Sequence, residues 1–296
     1  MTKKSTRPPL VENCIFCPRK DLTLEHIWAE WLKPYLEKMN SFSSLTSTVH
    51  PERSDFVRRM RVGDLHNRKL PIVCARCNNE WMSGLQTSAK PYLLTLIEGE
   101  ATALDINAQR SIAAWVAMTV IVAEYFEGRI STTYGDRRYL RMTLKPSDRW
   151  KIHIGHFVRG NWKPHLIHHT FPISSRKHRI QRNESGIPKP NTQTTTFTVG
   201  QLYIFAASSP TDIFEQWRVT ADGAGKLTQI WPILRNVVGW PPPAITDREA
   251  DTISAAFFQF AEQVGRLNLD PVVGAAVFRE GLALPARMRM HGRTQL

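Results

Sequence analysis

The chain has 296 residues, of which 42% are hydrophobic and 9% aromatic, and this composition excludes a disordered protein. Its 39 Lys and Arg residues outnumber its 26 Asp and Glu residues, so the net charge of +13 favours a polyanionic partner such as nucleic acid. The polar N-terminus has no apolar signal segment, and no stretch approaches the roughly 18 consecutive apolar residues of a membrane span. We therefore expect no membrane association and a cytoplasmic protein.

Residues 1–10 are basic and are predicted to form a disordered arm. Two Cys-x-x-Cys pairs follow, Cys14 with Cys17 and Cys74 with Cys77, and these are all four cysteines of the chain. Two such pairs separated by a long loop are the signature of a tetrahedral four-cysteine zinc site. The alternatives are two disulfides, a redox pair or four buried free thiols, but the even count and the lack of a secretory signal favour structural zinc.

Several elements are predicted between and just after the cysteine pairs. A short helix, interrupted at Pro34, covers residues 27–36, and residues 38–60 form an insertion rich in Ser and Thr. A strand at residues 65–73 leads into the second cysteine pair. A helix then begins at Asn78 or Asn79 and passes through Trp81, Met82, Leu85 and Ser88, and Pro91 breaks it or starts a new turn.

The rest of the chain changes from helical to strand periodicity. Asp105 is expected to cap a long, almost wholly apolar helix at residues 106–126, and a basic helical segment follows at 137–145. Period-two patterns predict strands at 151–158 and 163–169, joined as a hairpin at 159–161, and further strands within 194–207 and 226–231. Thr246 and Glu249 form a capping box that begins the last helix.

These elements predict an α+β fold. We expect a zinc-stapled module at residues 11–99, an α+β accessory module at 100–285 with a long buried helix and a mainly antiparallel sheet, and a basic tail at 286–296.

Chemically suggestive residues accompany the cysteine pairs. Glu25 and His26 lie shortly after the first pair, and Asn78 directly follows the last cysteine. The joint pattern resembles the HNH, or ββα-metal, endonucleases, and most closely their four-cysteine zinc subset, such as phage resolvases of the endonuclease VII type. The resemblance covers residues 12–90 and implies an N-terminal ββα-metal fold. The family more often has Asp at the position of Glu25.

The resemblance also implies roles for these residues. His26 would be the general base that takes a proton from water, because a histidine of ordinary pKa is neutral near pH 7. Glu25 and Asn78 would be oxygen ligands of a catalytic Mg²⁺ or Mn²⁺, which prefers such donors. Asn67, with His66 as the alternative, would be the middle Asn of the family motif.

Basic residues beside this motif are candidates for nucleic-acid contact, although a solvated loop is an equal alternative. They are Arg53, Arg58, Arg59, Arg61, Arg68 and Lys69. Five histidines between His153 and His169 lack acidic or cysteine neighbours at ligand spacing, so we interpret them as one polar face of a sheet.

The pattern as a whole predicts a metal-dependent endonuclease acting on DNA, with RNA as the alternative substrate. Bacterial or phage defence, restriction or mobile-element biology would suit such an enzyme by analogy only. The rival hypothesis is a zinc-stabilised nucleic-acid-binding protein without catalysis. The oligomeric state is left open, with a homodimer as one option.

Overall fold

A computed structural model of the chain describes residues 11–36, 45–48, 69–128, 130–158, 166–173, 179–184, 186, 188–216 and 225–267. It has mixed helix and sheet, as the α+β prediction requires. The predicted basic arm and basic tail lie outside the described residues, as do Asn67, His66 and all five candidate arginines.

The N-terminal part consists of two strands and a long helical run. Strand β1 (Leu22–His26) pairs antiparallel with β3 (Lys69–Cys74), so that Leu22 faces Cys74 and His26 faces Lys69. Helix α1 (Ala75–Cys77), a π-helical turn (Asn78–Met82) and helix α2 (Ser83–Glu98) follow without a break. The helical run thus begins inside the second cysteine pair, earlier than predicted.

Pro91 does not break the helix, which contradicts the prediction from sequence. It lies within α2, where it removes one backbone hydrogen bond. The opposite face of α2 buries Ala89, Leu93 and Leu96 against the next long helix, and this packing outweighs the local penalty. A short 3₁₀ helix at Glu30–Tyr35 lies within the predicted helical segment, but Pro34 lies inside this helix and does not interrupt it, contrary to the prediction.

The long helix α3 (Ile106–Glu127) forms the centre of the fold. Asp105 caps it, because its Oδ1 accepts a hydrogen bond from the Ala108 N–H at 2.7 Å, which confirms the prediction. Residues Ile106–Phe126 are the one described stretch long and apolar enough to cross a membrane, and 78% of its most apolar window is buried inside the protein. Such burial is that of a core helix. Helix α4 (Tyr134–Thr143) follows.

A six-stranded sheet covers one side of α3. It contains β2 (Leu45–Thr48), β5 (Trp150–His156), β6 (Leu166–Phe171), β7 (Thr192–Val199), β8 (Leu202–Ser208) and β9 (Leu227–Trp231) in the order β2-β6-β7-β8-β5-β9. Every described pairing is antiparallel except that of β2 with β6, in agreement with the predicted mainly antiparallel sheet.

The predicted hairpin between β5 and β6 is wrong. Both strands form, but β7 and β8 lie between them in the sheet. Strand β6 pairs instead with β7, and β7 forms a tight hairpin with β8 around Gly200. Gly200 has a φ of +53°, and a Cβ there would lie 2.5 Å from the Ile97 carbonyl oxygen, so the turn packs closely on the end of α2.

The remaining elements complete the fold. Strand β4 (Thr102–Leu104) pairs with β10 (Val238–Trp240), and a short helix α5 (Ile213–Gln216) precedes β9. Helix α6 (Asp247–Leu267) begins with the predicted capping box, in which Thr246 and Glu249 exchange hydrogen bonds.

One contiguous core joins the N-terminal part to the rest of the chain. Trp28 packs edge-on against Phe197 of the sheet at 5.2 Å between ring centroids, and Trp31 lies 6.5 Å from Trp115 of α3. A smaller core lies on the other face of the sheet, beneath α6. The division of the chain at residue 99 stays a prediction, and the packing across it is extensive.

The histidine-rich strands do not form one polar face. His168 and His169 are both buried, and as neighbours on β6 they point to opposite faces of the sheet. His168 Nδ1 lies 2.8 Å from Thr195 Oγ1 of the neighbouring strand. The four cysteines are the cluster of candidate metal ligands found among the described residues, so the histidines form no second one there.

Candidate metal centre and neighbouring polar site

The four cysteines converge in the folded chain although 56 residues separate the two pairs. All four side chains are buried, and their Sγ atoms lie within 4.8 Å of one another. Cys17 Sγ is 3.5 Å from Cys74 Sγ and 3.6 Å from Cys77 Sγ. Four thiolates around a tetrahedral zinc ion would be about 3.8 Å apart, given a Zn–S distance of about 2.3 Å. The cluster could hold a metal ion and is consistent with structural zinc.

Local backbone geometry brings the first cysteine pair into this cluster. We call residues 14–17 the first knuckle and residues 74–77 the second knuckle. The Cys17 N–H donates to the Cys14 carbonyl oxygen, and the Cys14 N–H donates to the Arg19 carbonyl oxygen. These two hydrogen bonds close a tight loop. In the second knuckle the Cys77 N–H donates to Cys74 Sγ at 3.4 Å, as donors do to a metal-bound thiolate.

A β-bulge at Ile72 in the β1–β3 ladder joins the two knuckles. Thr23 faces Val73 and Leu24 faces Pro71, so Ile72 between them has no partner on β1. The Ile72 carbonyl oxygen instead accepts a hydrogen bond from the Ile15 N–H of the first knuckle, at 2.9 Å. The bulge therefore supplies the acceptor that joins one knuckle to the other.

The thiol chemistry fits a cation at the centre of the cluster. The four thiols form no disulfide, so the alternative of two bridges finds no support. Burial raises the pKa of Cys14 and of Cys77, which opposes the formation of isolated thiolates. A bound divalent ion would supply the missing positive charge and keep the thiols ionised.

A second polar group lies beside the cluster, on the side of β1 that faces the helical run. Asn78, the first residue after the last cysteine, donates from Nδ2 to Thr23 Oγ1 at 3.4 Å, and its side chain is near enough to the Glu25 carboxyl to lower the pKa of Glu25. Thr23 and Glu25 are two residues apart on one strand and so share a face. The structure thus brings together Glu25 and Asn78, the two candidate oxygen ligands.

Glu25 has an unusual environment for a carboxyl group. Its side chain is buried, and burial raises its pKa to about 7, although the nearby Asn78 side chain opposes the rise. A carboxyl with this pKa is partly protonated at neutral pH in the absence of a cation. A divalent ion would displace that proton, since it favours the ionised form.

His26 lies at the end of the same strand, and a carboxylate other than Glu25 lies beside it. Its Nε2 is 3.8 Å from Oε1 of Glu30, at the start of the 3₁₀ helix, and its side chain is 16% exposed. Glu30 also pairs with Lys33, and this pairing, with the proximity of His26, holds the pKa of Glu30 below its usual value. Glu30 therefore stays ionised beside the imidazole.

The other candidates occupy less informative positions. Lys69 is the first residue of β3, is exposed and faces His26 across the ladder. Asn79 is exposed within the π-helical turn and does not cap the helix, since the helical run begins at Ala75. Six residues lie outside the described residues, so the structure says nothing of their positions: Asn67, Arg53, Arg58, Arg59, Arg61 and Arg68.

Two residues of the site have no signal in the sequence motif. Glu30 follows His26 by four residues, but a strand end and a 3₁₀ turn separate them, so helical spacing does not predict their contact. Thr23 shares the hydrogen bonding of Asn78, and only strand alternation relative to Glu25 hints at its role.

Comparison with known proteins gives no relative from which a function could be carried over. No family model, no curated protein and no solved structure shows a significant match to this chain.

Proposed function

We propose that this protein is a metal-dependent endonuclease of the HNH type that hydrolyses phosphodiester bonds in DNA. One observation carries the proposal: the Asn78 side chain lies close enough to the buried Glu25 carboxyl to lower its pKa, directly beside a buried four-cysteine cluster. The order of strand, strand and helix around that cluster, with a cysteine pair at each end of the hairpin, is the order that a ββα-metal module requires. The net charge of +13 suits a nucleic-acid substrate.

In this proposal the cysteine cluster holds zinc and serves as scaffold. It ties the start of β1 to the end of β3 and to the helical run that carries Asn78. A closed four-thiolate site leaves no open position for substrate, so a structural role suits it.

Glu25 and Asn78 would hold the catalytic Mg²⁺ or Mn²⁺, since carboxylate and amide oxygens suit hard cations. When bound, such an ion polarises the phosphate and stabilises the leaving 3′ oxygen. Because the pKa of Glu25 is raised to about 7, its carboxyl must release a proton before it can bind the ion. Cleavage should therefore strengthen as the pH rises through about 7.

His26 would prepare the nucleophile. Its imidazole takes a proton from water, and the ionised Glu30 carboxylate, 3.8 Å from Nε2, stabilises the imidazolium that results. The partial exposure of the ring leaves room for water to approach.

The direct test is incubation of the purified protein with supercoiled plasmid, linear duplex and branched DNA, with and without Mg²⁺ or Mn²⁺. The proposal expects cleavage that needs the divalent ion and that disappears in His26→Ala. Leu24→Ala is the matched control, because Leu24 is an exposed neighbour on the same strand, 59% exposed. Absence of cleavage under every condition would contradict the proposal.

A second candidate is a zinc-stabilised nucleic-acid-binding protein that does not cut. It is favoured by the alternation of β1, in which Thr23 and Glu25 face the helical run while Leu24 is exposed on the other side. Regular alternation assigns His26 to the side of Leu24, and its partner is Glu30 rather than Glu25. Binding without cleavage in the plasmid assay would support this candidate.

A further inference from the structure

We propose that the outer face of helix α4 forms a nucleic-acid-binding surface. No residue of α4 is among the basic residues that the sequence suggested as nucleic-acid contacts. The inference rests on the proposed function only for the chemical class of the partner, which is nucleic acid. Its residues are described throughout the helix.

Helix α4 presents a mixed basic and aromatic face to solvent. Tyr134, Arg138 and Met142 follow one another at intervals of four residues and are all exposed, so they form one stripe along the helix. Tyr139 lies beside this stripe and is 39% exposed, and Arg141 borders it. Exposed aromatic rings interleaved with cations are the composition on which nucleic-acid bases stack.

The charge on this face is not neutralised. Arg138 and Arg141 form no ion pair within the described part of the chain. The acidic residue of the helix, Asp136, is bound to Arg149 and to the helix N-cap residue Thr133. Two cations therefore face solvent with no internal counter-charge.

The face is rigidly connected to the proposed nuclease site. Arg137, on the inner side of α4, is buried and donates from Nε to the Ile15 carbonyl oxygen of the first knuckle at 2.8 Å. Lys20, three residues after that knuckle in sequence, is also exposed. Strand β1, which ends at His26, follows in the chain. Its five residues span about 13 Å, which is about the length of four nucleotides along one strand of DNA.

The chemistry of the face matches nucleic acid better than a membrane. Guanidinium groups bind phosphates through two parallel hydrogen bonds, and exposed tyrosines stack on bases that leave a duplex. A helix of ten residues is only about 15 Å long, and its apolar content is one narrow stripe. An interfacial membrane helix would need a wider apolar face.

The test compares two double variants that remove equal charge from exposed or half-buried positions. Arg138→Gln with Arg141→Gln changes the α4 face, whereas Arg110→Gln with Arg248→Gln changes α3 and α6 and is the control. Binding to a fluorescent duplex is measured in EDTA over a range of salt concentrations. We expect the α4 variant to lower the slope of log K against log salt by about 2, and the control to leave it nearly unchanged.

A single-stranded oligonucleotide tests the stacking part of the proposal. Tyr139→Leu should weaken its binding about fivefold or more, and Tyr139→Phe should retain it, because only the ring is needed. Vesicles containing anionic lipid serve as the competing partner.

If both double variants lower the slope of log K against log salt equally, the effect depends only on net charge, and the proposal is overturned. An unchanged slope in the α4 variant, or loss of vesicle binding alone, would also overturn it. Because every readout is binding in EDTA, failure of the nuclease proposal would appear separately, as binding without cleavage in Mg²⁺.

Discussion

Ile15 and Arg137 are bonded across 122 residues of chain: the Arg137 Nε donates to the Ile15 carbonyl oxygen while the Ile15 N–H donates to Ile72. Both backbone groups of one knuckle residue are thus satisfied by distant segments. Arg137 Nη1 also donates to the Thr132 carbonyl, and the guanidinium lies 5.5 Å from the centre of the Tyr125 ring.

Replacement of Arg137 should therefore loosen the first knuckle. Arg137→Met leaves two buried carbonyl groups without donors and should lower the free energy of unfolding by about 2–4 kcal/mol. Urea denaturation measures the change, and Arg138→Met, which alters an exposed neighbour, is the control. Equal stability of the two variants would contradict a clamping role for Arg137.

The cysteine cluster predicts a zinc content of about one ion per chain by elemental analysis. Cys74→Ser should release the metal and unfold the N-terminal hairpin, because the binding energy of a structural zinc contributes directly to folding. Circular dichroism with chelator titration measures both effects, and restored folding on adding zinc to the wild type is the control. A metal-free wild type with an unchanged unfolding transition would refute the zinc assignment.

The three residues of the proposed active site should fail in different ways. His26→Ala should reduce cleavage by about 10²- to 10⁴-fold while zinc content and DNA binding stay near the wild type, because the lost group acts on a proton. Asn78→Ala and Glu25→Ala should weaken the binding of the divalent ion, so that a higher Mn²⁺ concentration partly restores cleavage. A His26→Ala protein that still cuts at the wild-type rate would defeat this assignment.

Glu30→Gln distinguishes the role of the second carboxylate. If Glu30 stabilises the imidazolium of His26, the pH profile of cleavage should shift in the variant, while zinc content and unfolding stay unchanged. Loss of the carboxylate favours the neutral imidazole, so the expected shift is toward lower pH. A profile identical to that of the wild type would show that Glu30 is a surface partner only.

The buried Glu25 predicts a specific dependence of stability on pH. Its folded-state pKa of about 7 lies above the ordinary value of 4.5, so the folded protein keeps a proton that the unfolded chain has lost. Its contribution to stability therefore falls as the pH rises from about 4.5 to 7, and the loss is complete above that range.

The variant Glu25→Gln removes this dependence. In EDTA it should be more stable than the wild type at pH 8 by about 1–3 kcal/mol, and near the wild type at pH 5. Urea denaturation at the two pH values measures the difference. A wild type that gains stability from pH 5 to pH 8 relative to Glu25→Gln would contradict the buried position of this carboxyl.

Prediction from sequence succeeded where the signal is local. The cap at Asp105 and the capping box of Thr246 and Glu249 depend on residues within a few positions of one another. The pairing of β5 with β8 and β9, rather than with β6, depends on strands far apart in the chain, so period-two patterns predicted the strands but not their order.

The sequence by itself determined the donor set of the metal cluster, because four thiols at Cys-x-x-Cys spacing have few other uses in one chain. It also determined that Asn78 follows the cluster directly. Only the tertiary structure decided that Glu25 is buried against Asn78, that Glu30 and not Glu25 lies beside His26, and that α4 holds the first knuckle. These relationships depend on burial and on contacts between distant segments, and neither is encoded in the spacing of a motif.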